Sequence, residues 1–166
     1  MRSKATAAER ARMTPLAAGI VFEVGIGLGL GLPLYGGAVV RLYSVDPRRE
    51  LWALARSRIA RVSFPVEFIQ ASAERIPMAD GSIDTVVMTW TLCSIPDARL
   101  ALLEMKRVLK PEGQLMFVEH GLALDPRVVA WQDRLNPVWR RVAGRCNLNR
   151  KIDGLILNAR TLGSRR

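Results

Sequence analysis

Apolar and polar positions along the chain follow two periods that alternate in a regular order. Val21–Val24, Leu42–Val45, Val66–Ile69, Ile83–Trp90 and Gln114–Glu119 read as short strands, and the fourth carries a β-branched run that marks burial. Between them the period lengthens. Leu51, Leu54, Ala55, Arg58 and Ile59 fall at three-to-four spacing and predict a helix over Pro47–Val62. Leu100, Leu103, Arg107 and Val108 predict another from Pro96 to Lys110, which Lys110-Pro-Glu-Gly113 closes. The segment ASAERIPMADG (71–81) is polar and turn-rich. Strands alternating with helices imply right-handed crossovers and an α/β fold with a doubly wound, mostly parallel sheet of about five strands.

One stretch breaks both periods. In VFEVGIGLGLGLPLY (21–35) a strand bearing Glu23 runs into Gly25, Gly27, Gly29 and Gly31, at every second position. Glycine at that density serves backbone geometry and lets a ligand touch the main chain. A strand, a glycine turn and a helix start form the nucleotide-side crevice of a doubly wound sheet, so this region is expected to hold an adenosine-like group. Asp46 lies 21 residues after Gly25, at the end of the second strand. A carboxylate there can accept hydrogen bonds from two vicinal ribose hydroxyls. The competing reading makes Asp46-Pro47 the cap and first residue of the next helix. Leu16–Val40 is also long enough to cross a bilayer, but its glycines, Pro33 and a central Glu23 argue against that.

Charge changes the picture only once it is mapped. The formal net charge is +10, yet residues 15–124 carry 11 basic and 11 acidic side chains. The excess is +3 in residues 1–14 and +7 in residues 125–166. The expected organisation is a basic N-terminal segment (1–14), an α/β core (15–124) and a basic helical cover and tail (125–166). Its 166 residues suit one domain. Cys93 and Cys146 lie far apart with no CxxC spacing, so neither a metal site nor a disulfide framework is expected. No signal peptide is evident, and a cytoplasmic location is the default expectation.

Several blocks together resemble one family: FEVGIGLGLGLPLY, YSVDP, ASAERIPMADGSIDTVVMTWTLCSIPD, LLEMKRVLKPEGQLMFVEHG and WQDRLNPVWRRVAGRCNLNR. They look like class I S-adenosylmethionine-dependent methyltransferases, in the branch of the ubiquinone/menaquinone-biosynthesis enzymes and the methyltransferase-like proteins once called phosphatidylethanolamine methyltransferases, several of which act on thiols. The resemblance runs from about Ile20 to Ile156 and implies a Rossmann-like fold and S-adenosylmethionine as cofactor. It places Glu23, Gly25, Gly27 and Gly29 around the methionine part, Asp46 on the ribose hydroxyls, Ser72, Ala73 and Glu74 beside the adenine, and Thr89 on the sulfonium side. Asp84 reads as structural. Leu28 stands where a small hydroxylated residue is common, and Gly31 where asparagine is usual.

Methyl transfer from a sulfonium needs alignment more than covalent chemistry, although a carbon, oxygen or thiol acceptor must lose a proton. Glu119 and His120, near the carboxyl ends of the strands, are the candidate bases; the rival reading of His120 is a hydrogen bond that orders the turn at Gly121. Val128, Trp131, Leu135, Val138, Trp139 and Val142 share one helical face within Arg127–Arg150, a stretch that Asn136-Pro137 kinks or divides. Packing against the sheet, an acceptor lid and peripheral membrane contact are the three readings of that face. The expected acceptor is a small, partly apolar molecule: a lipid, a quinone precursor or a thiol. RNA is the rival, against which the lack of an aromatic-basic recognition block counts. A nicotinamide-dependent dehydrogenase is a further rival, but the third glycine of its GxGxxG fingerprint would fall on Leu30.

The resemblance also implies seven strands, the last two forming a C-terminal hairpin, and only five can be counted before Lys151–Ala159, a further helix. The expectation is a shortened relative with an exposed edge at the fifth strand, prone to self-association and impaired in turnover, or a non-catalytic cofactor-binding remnant.

Overall fold

The computed structural model describes residues 4–161; residues 1–3 and 162–166 of the two basic ends lie outside it. Helix α1 (Lys4–Met13) precedes β1 (Gly19–Val24), β2 (Val39–Val45), α2 (Arg49–Ile59), β3 (Val66–Ile69), β4 (Ile83–Thr89), α3 (Ala98–Val108), β5 (Leu109–Val118), α4 (Pro126–Val142) and α5 (Ile152–Thr161). The five strands form one sheet in the order β3-β2-β1-β4-β5, and every pairing is parallel. This is the Rossmann-like architecture that the alternating periods imply. The order reverses between β1 and β4, which opens a crevice beyond their carboxyl ends.

Alternation along the central strands feeds two cores. Phe22, Val24, Val86 and Met88 pack with α3 on one side, while Val21, Leu42 and Val87 pack with Ala55 of α2 on the other. Arg107 ties the turn-rich segment down. Its guanidinium donates to the carbonyls of Ile76 and Met78 and to the carboxylates of Asp80 and Glu104. Asp84 is structural, as read: it accepts from Ile20 N at 2.8 Å and from Lys110 Nζ at 2.6 Å.

Several boundaries differ from the sequence reading, each for a local reason. The glycine loop leads into a single 3-10 turn, Leu32–Leu34, because Pro33 starts it and Gly36-Gly37 follow at once. Helix α2 begins at Arg49 with Arg48 as its N-cap, so Asp46-Pro47 does not cap it. Lys110-Pro-Glu-Gly113 is no helix terminator. Leu109 pairs with Ile83 and Gln114 with Thr85, so these four residues bulge out of β5 while α3 has already ended at Val108. Pro137 does not divide α4, which runs unbroken from Pro126 to Val142. Among the described residues no strand pairs with the outer edge of β5, and no helix is long and apolar enough to cross a membrane.

Candidate functional site

Most of the residues singled out by sequence meet in the crevice at the strand reversal. Two adjoining cavities, about 280 Å³ and 390 Å³, share Gly25, Asp46, Arg48, Thr91 and Ser94. Glu23, Gly27 and Thr89 line the first, and Ser72 and Ala73 the second. A larger void of about 1090 Å³ lies away from them, an apolar trough beside β5. The smaller pair is the candidate site, because it brings two buried carboxylates, Glu23 and Asp46, together with left-handed glycine backbone.

The glycines divide the work. Gly25 and Gly27 lie on the crevice wall with φ of 77° and 52°. A Cβ on Gly27 would meet nothing within 4 Å, which leaves a bare stretch of main chain facing the cavity. Gly29 belongs elsewhere. A Cβ there would lie 2.9 Å from the Cβ of Ala55, so it lets the loop approach α2 rather than a ligand.

Two carboxylates flank this backbone. Glu23 is 3% exposed, and burial pushes its pKa up to about 7 against the pull of Tyr35 and of the Arg10 guanidinium. Its Oε2 makes no hydrogen bond within 3.5 Å among the described residues, and the hydroxyl of Tyr35, the neighbour that pulls on it, is likewise unpaired. A buried carboxylate left so is costly, and a cationic ligand group would satisfy it. Asp46, 4% exposed, accepts from Arg48 N at 2.9 Å, which closes an Asx turn at the crevice mouth.

Other expected residues are placed differently. Glu74 lies off the wall, because its two oxygens accept from Asp97 N (2.6 Å) and Ser72 Oγ (2.7 Å) and so brace the loop. Glu119 stands behind the crevice, where Oε1 accepts from Thr91 N (2.6 Å) and Leu92 N (2.8 Å); burial raises its pKa to about 7. His120 does not line the crevice either. Its Nε2 lies 3.1 Å from Cys146 Sγ, and burial lowers its pKa. Neither candidate base lines the two crevice cavities; Glu119 lines the larger void beside β5 instead. The two cysteines, remote in sequence, converge on this histidine: Cys93, His120 and Cys146 bring their ligand atoms within 4.8 Å of one another.

Sequence reasoning missed Arg10, Arg48, Trp90, Thr91 and Ser94. Arg10 reaches the wall from α1 and stacks its guanidinium 4.8 Å over the Trp90 ring. Trp90 holds a left-handed φ of 50°, an uncommon backbone for a bulky residue. Arg10 gives no periodic signal, since α1 is polar nearly all round; Trp90, Thr91 and Ser94 were legible only as the residues that follow a buried strand.

Residues 22–117 match a family model described as a methyltransferase domain. A thiol S-methyltransferase of Rattus norvegicus is 35% identical over 135 residues, covering 79% of this chain and 55% of that protein. A phosphatidylethanolamine N-methyltransferase of Cereibacter sphaeroides is 35% identical over 104 residues, covering 61% of this chain and 51% of that protein. The chain thus spans about half the length of the curated relatives it matches. The crystal structure of the YcgJ protein from Bacillus subtilis shares the fold with a TM-score of 0.76 at 22% identity, covering 95% of this chain and 68% of that one.

Proposed function

The chain belongs to the methyltransferase domain family, and on that premise we propose that it transfers a methyl group from S-adenosylmethionine to a small, partly apolar acceptor, a thiol or a lipid before a quinone precursor. The family's methyl donor is S-adenosylmethionine, which when bound supplies an electrophilic methyl on a cationic sulfur. One observation carries the reading: a partnerless buried carboxylate oxygen (Glu23), bare positive-φ backbone (Gly27) and a second buried carboxylate (Asp46) face one crevice at the strand reversal.

Each residue then has a task set by its chemistry. Glu23 would offer negative charge to the ammonium of the methionyl part, and the Gly25–Gly27 main chain would help to hold that part. Asp46 accepts from ribose hydroxyls with the lone pairs that Arg48 N leaves free. Ser72 and Ala73 form the adenine-side wall. Thr89 and Thr91 close the floor at the end of β4. Alignment of two reactants supplies the acceleration. Among the described residues the crevice's carboxylates, Glu23 and Asp46, are assigned to the cofactor and Glu119 and His120 do not line it, and this favours an acceptor that arrives as an anion, such as a thiolate.

Helix α4 supports a lipid-facing location for the acceptor. Its polar side, not its apolar side, meets the body: Gln132 donates to the carbonyls of Gly121 and Leu148, and Asn136 accepts from Leu148 N. The six apolar residues read as a packing face are instead exposed, from 42% at Trp139 to 76% at Val142. Arg127, Arg134 and Arg141 follow one another at seven-residue steps beside them. An apolar stripe edged by arginines fits the surface of an anionic membrane.

Calorimetry with S-adenosylhomocysteine and with NAD tests the cofactor. Binding of NAD alone would overturn the reading. Transfer of tritiated methyl into small thiols, a lipid extract and total RNA tests the acceptor, and label appearing only in RNA would reverse it.

A further inference from the structure

The chain holds one histidine and two cysteines, and the fold gathers all three at one point. Cys93 lies in the loop after β4, His120 just past β5 and Cys146 beyond α4, so three separate segments deliver them. Cys93 and Cys146 are 1% and 7% exposed. Their Sγ atoms and a ring nitrogen of His120 all lie within 4.8 Å of one another. We propose that Cys93, His120 and Cys146 form a binding site for a divalent zinc-like metal ion, which clamps the segment after α4 to the carboxyl edge of the sheet.

The geometry lies within reach of such a site. Bond lengths of about 2.3 Å to sulfur and 2.0–2.1 Å to nitrogen place tetrahedral ligand atoms about 3.5–3.8 Å apart. Here Nε2 and Cys146 Sγ stand at 3.1 Å and all three ligand atoms lie within 4.8 Å of one another, so shifts of up to about 1 Å admit the ion. The backbone already holds each corner. The carbonyl of Cys93 accepts from both the main-chain N and the side-chain Nδ2 of Asn147, at 2.9 and 2.8 Å, fastening the residue after Cys146 to Cys93 itself. Leu122 N donates to the Arg150 carbonyl at 3.0 Å, and a Cβ on Gly121 would lie 2.9 Å from that oxygen, which fixes the turn after His120 against the same segment. Arg150 in turn donates to the carbonyls of Leu92 and Ile95 on either side of Cys93.

Charge suits burial as well. A divalent cation, two thiolates and a neutral imidazole sum to zero, so the filled site places no net charge in the core. Binding releases the two thiol protons to solvent with no change of oxidation state. Three protein ligands leave one tetrahedral position for a further donor. A thiol in a core can also be a small apolar filler. That reading explains any one of these residues, but not the meeting of every cysteine and histidine in the chain.

The test uses the full chain, reduced and freed of metal with a chelator, and titrated with Co²⁺ as a spectroscopic stand-in for zinc. The expected result is thiolate-to-cobalt charge-transfer absorption in the near ultraviolet that saturates at one ion per chain and is abolished by equimolar Zn²⁺. Cys146→Ser should weaken Co²⁺ binding by on the order of 100-fold. In the unmodified protein, Zn²⁺ should protect both thiols from alkylation and raise the melting temperature. That second measurement stands even where Cys93→Ser or Cys146→Ser fails to fold. Absence of charge-transfer absorption at several equivalents of Co²⁺, or equal alkylation with and without Zn²⁺, would overturn the proposal. S-adenosylhomocysteine binding is measured separately, so failure here leaves the methyl-transfer reading standing.

Discussion

The Cβ that Gly25 lacks would lie 2.6 Å from the Cγ2 of Thr91. The first glycine of the loop and the second residue past β4 thus share a space that holds only one side chain. Gly27, two residues on, has the same left-handed backbone and open space around it. Alanine at the two positions should therefore behave differently. Gly25→Ala combines backbone strain with overpacking and should cost about 2–4 kcal/mol of stability. Gly27→Ala should cost about 1–2 kcal/mol, the strain of a Cβ on left-handed backbone, yet it places a methyl group where the ligand is expected and should weaken S-adenosylhomocysteine tenfold or more. Urea denaturation beside calorimetry checks both, and equal losses of stability would contradict this division.

Glu23 links cofactor binding to pH. Its carboxyl, ordinarily near 4.5, stands at about 7 in the folded protein because it is buried. Below that value it is protonated and offers no charge to an ammonium. Affinity for S-adenosylhomocysteine should therefore rise as pH passes upward through 7, and binding at pH 6.5 should release protons. Titrations in buffers of different ionisation enthalpy measure that release. Glu23→Gln should abolish it and flatten the pH profile; an unchanged release would remove Glu23 from the site.

Glu119 makes a stability prediction of definite sign. Its folded pKa, about 7, exceeds the ordinary 4.5. Between those values the folded state binds more protons than the unfolded one, so stability falls as pH rises from 4.5 to 7 and levels off above. The size is up to about 3 kcal/mol. Glu23 acts in the same direction. Glu119→Gln keeps an acceptor for Thr91 N and Leu92 N without a titrating proton, and should remove part of the slope. Denaturation midpoints at pH 5 and 8 give the answer, and a slope unaffected by the substitution would contradict it.

Asp46 serves both the turn and the expected ribose contact. Asp46→Asn retains an acceptor for Arg48 N, whereas Asp46→Ala loses it. Asp46→Ala should weaken S-adenosylhomocysteine by about 1.5–3 kcal/mol, the scale of charge-assisted hydrogen bonds. Asp46→Asn should lose less. Equal affinity in all three proteins, read by calorimetry, would take Asp46 out of the site.

The sheet was legible because its signal is local. β-Branched runs such as Ile83–Thr89 and the glycine loop carry their own geometry, so the five strands, their parallel sense and the crevice at the glycine loop followed from periodicity and crossover handedness, whereas the strand order did not. What escaped was set by tertiary partners. Lys110-Pro-Glu-Gly113 has the composition of a helix stop, yet its neighbour Ile83 keeps Leu109 in the sheet. Glu74 matched the expected motif position, but its oxygens were claimed by Asp97 and Ser72. Arg10 enters from a helix with no apolar rhythm. Cys93 and Cys146 meet only through the docking of the segment after α4, which no spacing rule encodes.

Helix α4 carries the last prediction, and its inverted polarity is the reason for it. A helix that packs a domain turns its apolar stripe inward. Here Gln132 and Asn136 hold the inward side through hydrogen bonds, while Trp131, at 61% exposed, and Val138, at 62%, point away. Leu124, 98% exposed, lies just before the helix. Water is a poor environment for such a stripe, and if a membrane covers it, the adjoining row of Arg127, Arg134 and Arg141 would favour an anionic surface over a neutral one. Vesicles containing phosphatidylserine should therefore bind the protein, shift its tryptophan emission to shorter wavelength and release it as salt is raised, whereas neutral phosphatidylcholine vesicles should bind weakly. Replacing the three arginines with glutamine should cost about 1 kcal/mol each, about 150-fold in partitioning if the three add. Trp131→Ala with Trp139→Ala should weaken binding to both vesicle types, because it removes apolar area rather than charge. Equal partitioning to anionic and neutral vesicles, or no loss in the arginine variant, would show that the stripe is covered by something other than a membrane.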